Sequence, residues 1–270
     1  MNDFGERVAM LDDLAALRLQ LDWGVDEALG EVPLDRLGVE PPAVTLRVIG
    51  RPVMQPVMRA VMRAVAPSPA LPAGAAASVA ALVDLAAVHA ALDGFRAHPL
   101  RATASATVPP GGNIAAGLVI LGDAPGADDD RSGQAFSGKT GALLDRVFGA
   151  AGLGRERAML TFLLPWRPPG GRAPNDAEVA LVLPYLHRTL ALVRPRHLVL
   201  LGEVALRTLV EPGATLRGHR GRWTEVSVPG LEAPVPALPM LAPERWLQSP
   251  ATRQQSWADL LMLGEALAQH

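Results

Sequence analysis

The sequence predicts an α/β fold: an αβα three-layer arrangement around a central, mostly parallel four-stranded sheet. Two observations carry this. Beyond about residue 98, apolar runs of strand length alternate with stretches of helix length, the rhythm of a parallel sheet covered by helices on both faces. The first of these runs, Leu118 to Leu121, stops at Gly122-Asp123-Ala124-Pro125-Gly126. It reads as a buried strand that delivers a carboxylate to its carboxyl end, where open α/β sheets place their sites.

The elements follow in order. In residues 8–29, Leu11, Leu14, Leu17 and Leu21 recur at helical spacing, which predicts a short amphipathic helix. Residues 33–76 are rich in Pro and Ala and carry the echo PVMQPVMRAVMRAV; they read as a linker, with the Met stripe a candidate contact for a protein partner. Residues 77–97 form an Ala-rich helix that ends near Gly94. The expected strands are 117–121, 158–163, 197–201 and 236–240; the expected helices are 139–151, 175–193, 203–210 and 251–268. Asn175 and Glu178 open the second of these helices with a capping-box pattern, the acid three residues past the cap. The organisation is therefore an N-terminal helical segment (1–32), a linker (33–76), and an α/β domain (77–270) led by the helix 77–97.

Composition narrows the function. With 49% hydrophobic and 19% charged residues and a formal net charge of −2, the chain has no global basic signature, so any contact with nucleic acid has to come from a local patch. There are no cysteines, which excludes disulfides and thiolate-ligated zinc or iron–sulfur clusters. The six His are scattered without the short spacing of a helical metal site, so neither metal nor cofactor is expected. No apolar run reaches the roughly 18 residues of a membrane span, and the amino terminus lacks a basic-then-apolar signal layout. A cytoplasmic, monomeric protein is expected.

Three motifs carry the chemistry. The first, LVILGDAPGADDDRSGQAFSG (118–138), places Asp123 in the turn and Phe136 between Gly133 and Gly138. The second runs from Thr161 through Phe162 to Pro165-Trp166-Arg167-Pro168-Pro169-Gly170-Gly171-Arg172. The third is Leu238-Pro239-Met240-Leu241-Ala242-Pro243-Glu244-Arg245-Trp246, then Trp257-Ala258-Asp259-Leu260. Together they resemble the uracil-DNA glycosylase superfamily, in particular its iron–sulfur (family 4) type. That type has GEAPG with G-x-P-F-V-G, then T-N-V-V-K-C-R-P-P or T-N-I-L-P-W-R-P-P-G-N-R, then L-P-T-x-H-P-x-x-L-L-R and W-x-D-L. The resemblance covers about 95–270, with a weaker echo in LDWGVDEALGEVPLDRL near the amino terminus.

The resemblance implies roles. An extruded base is held in a slot and read on its edge, charge on the departing base is stabilised by a donor, and a carboxylate orients water or offsets positive charge on the sugar. Asp123 stands at the position of the family's acid; it equally suits a turn residue bonding its own backbone. Phe136 matches the aromatic that stacks on the base, and a core Phe is the alternative. The base pocket would comprise Gly122, Ala124, Pro125, Gly126, Phe136, Phe162 and Ala242. Two polar side chains are replaced, however. The base-reading Asn is Phe162, which offers no amide hydrogen bonds, and the leaving-group His is Ala242. The cluster cysteines would fall at or near Phe95, His98, Trp166 and Val182. Arg167, Arg172, Arg217, Arg220, Arg245 and Ser249 are the candidate contacts to a DNA backbone, with a solvated loop the alternative for the 216–223 stretch.

Three functions remain open: a DNA glycosylase of single- or double-stranded DNA with weak, altered or lost activity, a non-catalytic DNA-binding or protein-interaction module derived from one, or a general α/β module with no DNA role. Having no thiolate, the purified protein should be colourless and hold no stoichiometric iron or zinc; a cluster-like visible absorption band with matching iron would overturn this.

Overall fold

The computed structural model describes residues 73–268. The predicted helix 8–29, most of the 33–76 linker and the amino-terminal echo lie outside the described residues. The chain enters through α1 (Ala73–Ala80) and α2 (Leu85–Asp93). The single helix expected over 77–97 is thus two. Asp84 interrupts it: its backbone is extended and its carboxylate accepts the Ala87 N–H at 2.7 Å, an N-cap that starts a new helix. The second helix ends at Gly94.

Six strands form one sheet: β1 (Gly111–Gly112), β2 (Leu118–Gly122), β3 (Met159–Phe162), β4 (His197–Leu201), β5 (Thr224–Val226) and β6 (Val235–Met240), in the order β1-β3-β2-β4-β6-β5. The four expected strands are the parallel centre, β3-β2-β4-β6. β1 and β5 add short antiparallel edges. The helices are α3 (Ala127–Ser132), α4 (Gly138–Ala150), α5 (Asp176–Val193), α6 (Glu203–Leu209), α7 (Leu216–His219), α8 (Pro243–Trp246) and α9 (Pro250–Ala268). No helix among the described residues is long and apolar enough to cross a membrane.

Strand periodicity builds the three layers. In β2, Leu118 and Ile120 face a core completed by Leu144, Val147 and Phe148 of α4, Trp246 of α8, and Leu260 and Leu263 of α9. Val119 and Leu121 point the other way, onto Val179, Leu186 and Leu190 of α5 and Val204 and Ala205 of α6. Every β2 and β4 residue is buried, as expected of parallel strands covered on both faces. The chain runs from β2 to β3 on one side of it and returns through α5 to β4 on the other. The carboxyl ends of β2 and β4 therefore flank a topological switch point, where such sheets open a crevice.

A smaller aromatic corner ties α2 to the sheet. His98 and Trp166 lie with ring centroids 4.6 Å apart; Phe95 packs on both, at 6.0 and 6.5 Å, and on Tyr185 at 5.7 Å. Val182 completes the contact with Trp166. The Trp166 indole N–H donates to Thr107 Oγ1 at 3.0 Å. His98 is fully buried, and burial holds its pKa below the ordinary value. Its neutral ring accepts the Leu100 N–H at Nδ1 and donates from Nε2 to the Glu178 carbonyl. Trp166→Ala should cost about 3–5 kcal/mol, read as a lowered denaturant midpoint, whereas Trp166→Phe should retain most of it.

Candidate functional site

The site grows from the end of β2. The apolar strand stops at Gly122, and the turn that follows leads into α3, whose first N–H is capped locally: Gly126 N–H donates to Asp129 Oδ2 at 2.8 Å. The other oxygen of Asp129 accepts the Ser137 N–H at 2.6 Å and the Ser137 hydroxyl at 2.9 Å. One buried carboxylate thereby joins both ends of the 126–137 loop. Next to it, Asp130 accepts the backbone N–H groups of Ser105 and Ala106. Sequence reasoning gave these two aspartates no role; the acid three residues after Gly126 was the available sign.

The loop exists to present Phe136. Its φ of 51° is left-handed, a conformation that costs a non-glycine residue about 1–3 kcal/mol and persists only where surroundings over-determine it. Here they do. Ser137 is held by Asp129, and the carbonyls of Ala135 and Phe136 both accept from the Arg155 guanidinium, which is itself paired with Asp145 at 2.5 Å. Gly141 permits this approach, since a Cβ there would collide with the Phe136 carbonyl.

The Phe136 ring stacks on Phe162, centroids 4.6 Å apart and planes 27° from parallel. Both rings rest on Gly122, where a Cβ would lie 2.9 Å from each. Phe162 is 8% exposed and Phe136 3%.

Asp123 sits at the switch point but turns toward β4. Its carboxylate accepts the N–H of Ala205 at 2.7 Å and of Val204 at 3.3 Å, the opening turn of α6, and Gly202 must lack a side chain to admit it. Burial pushes its pKa up to about 6, against the two backbone bonds and Arg207; Glu244 adds to the rise. The partner is therefore a neighbouring helix, not the turn's own backbone.

A cleft of about 380 Å³ opens over these groups. Of the expected pocket, Gly122, Asp123, Ala124, Pro125, Gly126, Phe136, Phe162 and Ala242 all line it, as does Arg172. Pro243 and Glu244 of the third motif also line it, as does Leu201 at the end of β4, a position outside the three motifs. Ala242 precedes α8 and offers only a methyl group. Arg172 makes a two-pronged pair with Glu178, at 2.9 and 2.5 Å, which lowers the Glu178 pKa and raises its own.

The remaining candidates lie off the cleft lining. Arg220 turns inward to buried Asp259 at 2.9 Å and to the Gln255 carbonyl at 2.8 Å. Ser249 spends its hydroxyl on the start of α9, accepting the Thr252 N–H at 3.1 Å. Arg217 is exposed on α7, Arg245 is exposed on α8, and Arg167 is half-buried.

Residues 109–261 match the family described as the uracil DNA glycosylase superfamily. The chain belongs to the uracil-DNA glycosylase superfamily. It is 30% identical over 184 residues to the type-4 uracil-DNA glycosylase of Pyrobaculum aerophilum, covering 67% of this chain and 93% of that protein. It is 34% identical over 170 residues to the type-4 enzyme of Archaeoglobus fulgidus (62% and 84%), and 31% identical over 166 residues to that of Saccharolobus solfataricus (60% and 76%). The iron–sulfur cluster of the family 4 type does not fit this member. The chain has no thiolate, and Phe95, His98, Trp166 and Val182, which stand at or near the cysteine positions, converge on one another as packed rings and hydrocarbon.

Because the folded pKa of Asp123 is raised, its ionised form is the costly one. Its contribution to stability is complete below its ordinary 3.8 and is lost as pH rises through about 6. Asp123→Asn should thus gain on the parent between about pH 4 and about pH 7, measured as the difference in urea midpoints; a constant difference would contradict this assignment.

Proposed function

We infer that this superfamily member works on DNA in base repair, and that its hydrolysis of the N-glycosidic bond of uracil or another damaged base is weak, altered or lost. One observation carries the reading: the stacked Phe136 and Phe162 rings and the methyl of Ala242 line the cleft. Neither Phe162 nor Ala242 presents a side-chain donor to a base edge or to a departing base. Removing one such charge-stabilising donor costs on the order of 10²–10³ in rate, and a pocket without polar readers also loses selectivity.

Binding would draw on DNA, single- or double-stranded, with the cleft taking one nucleotide and Arg172, Arg245 and Arg217 facing the backbone. Asp123 is the acid left for chemistry. Its bonds to Val204 and Ala205 favour a second reading, a non-catalytic DNA-binding or protein-interaction module, since both oxygens are already engaged. An excision assay with protein in excess over uracil-, hypoxanthine- or xanthine-containing DNA separates the two: product with any of these bases supports an altered enzyme, and none supports the module.

The double reversion Phe162→Asn with Ala242→His should raise uracil excision at least about tenfold over the parent, an effect within reach of one restored donor. Asp123→Ala in the reverted protein should abolish the gain. A folded, DNA-binding revertant without excision would place the loss elsewhere in the scaffold.

A further inference from the structure

We propose that the acidic amino-terminal segment of this chain, residues 1–32, docks on an arginine-flanked groove at the amino ends of β4 and β6. The groove lies at the opposite ends of these strands from the cleft, so the proposal is independent of the DNA-binding reading.

The groove holds about 400 Å³ between the α5–β4 turn and the loop that leads into β6. Leu231, Pro234 and Pro236 give it an apolar lining, and Arg194 and Arg196 flank buried Pro195 at its edge. Both arginines are exposed. Arg194 ends α5 in a left-handed turn, φ 50°. Arg196 is held by backbone: its guanidinium lies against Gly117, where a Cβ would come within 2.6 Å of Nε, and it donates to the Ala116 carbonyl at 3.4 Å. Six other arginines of the described residues are neutralised by an acid: Arg101, Arg131, Arg155, Arg172, Arg207 and Arg220. Arg194 and Arg196 have no such partner among the described residues, and Glu232, which shares the groove, pairs with neither. Two unneutralised guanidinium groups beside an apolar lining fit a ligand that carries carboxylates next to apolar side chains.

The chain carries such a ligand itself. Residues 1–32 hold eight acidic residues against Arg7 and Arg18, although the whole chain has a net charge of only −2. The remainder is therefore net positive, and the two parts attract. Asp22, Asp26 and Glu27 stand beside Leu21, Trp23 and Val25, which joins the two chemistries that the groove presents. The tether allows the contact. The described chain begins on α1, whose Val79 joins Val88 and Tyr185 of α5 in one cluster; Leu192 packs on that cluster, two residues before Arg194. The 40 residues 33–72 can reach up to about 130 Å, so length sets no barrier. Covalent attachment also makes docking an intramolecular event, with an effective concentration set by the tether.

The test uses the full chain. Because it has no cysteine, Ala233→Cys at an exposed position of the groove gives a single thiol for a benzophenone photo-crosslinker, and mass spectrometry maps where it reacts. Most crosslinks should fall within residues 1–32 of the same chain. Arg194→Glu with Arg196→Glu should lower their yield at least about threefold, the scale of two exposed ion pairs lost, and about 1 M salt should lower it likewise. Arg146→Glu, on the exposed face of α4, should leave it unchanged. Adding Asp22→Lys, Asp26→Lys and Glu27→Lys to the arginine variant should restore the yield, which a misfolded groove could not do. Crosslinks elsewhere in the chain, crosslinks to a second copy, or a yield untouched by charge reversal would each overturn the proposal. Loss of the crosslink on adding duplex DNA would assign the two arginines to phosphate instead and overturn it as well.

Discussion

The last residue of β2 carries no side chain, and two phenyl rings rest against the surface this leaves bare. Gly122 stands at the carboxyl end of a strand buried on both faces, beside the switch point of the sheet. Any larger residue would push Phe136 and Phe162 apart. The stacked rings form part of the cleft wall. The loop bearing Phe136 is costly to hold in its left-handed turn, and the hydrogen bonds from Asp129 and Arg155 are what hold it.

Around this centre the polar groups have been drawn into structural service. Asp123 closes the start of α6, Glu178 anchors both the start of α5 and Arg172, and Asp259 neutralises Arg220. These three acids each have a partner within the protein, while Glu244 stands exposed in the cleft lining.

Much of this was legible in the sequence. Strands such as 118–122 and 197–201 are continuous apolar runs whose burial on both faces leaves one reading, and the Asn175–Glu178 capping box marks α5 to the residue. The gathering of Gly122, Asp123, Phe162 and Ala242 over one cleft was legible too, because they sit at or just past the ends of strands that a parallel sheet brings to one side, whereas Phe136 arrives on the loop between α3 and α4. What escaped depends on partners distant in sequence. Arg220 read as a DNA-backbone contact or a solvated loop cation, and only the packing of α9, 39 residues on, shows it bound to Asp259. Edge strands of two and three residues carry too little pattern to be seen. The break at Asp84 was hidden because alanine on both sides favours helix as strongly as a cap favours stopping.

The aromatic corner bears on how this side of the fold can fail. A corner pinned by Phe95, His98, Trp166 and Tyr185 is held by packing of the chain's own rings. With packed rings and hydrocarbon where cluster thiolates would stand, the corner holds no cluster for a chelator to strip or for peroxide to break. Oxidation of a thiolate therefore has no route to loosening this side of the fold.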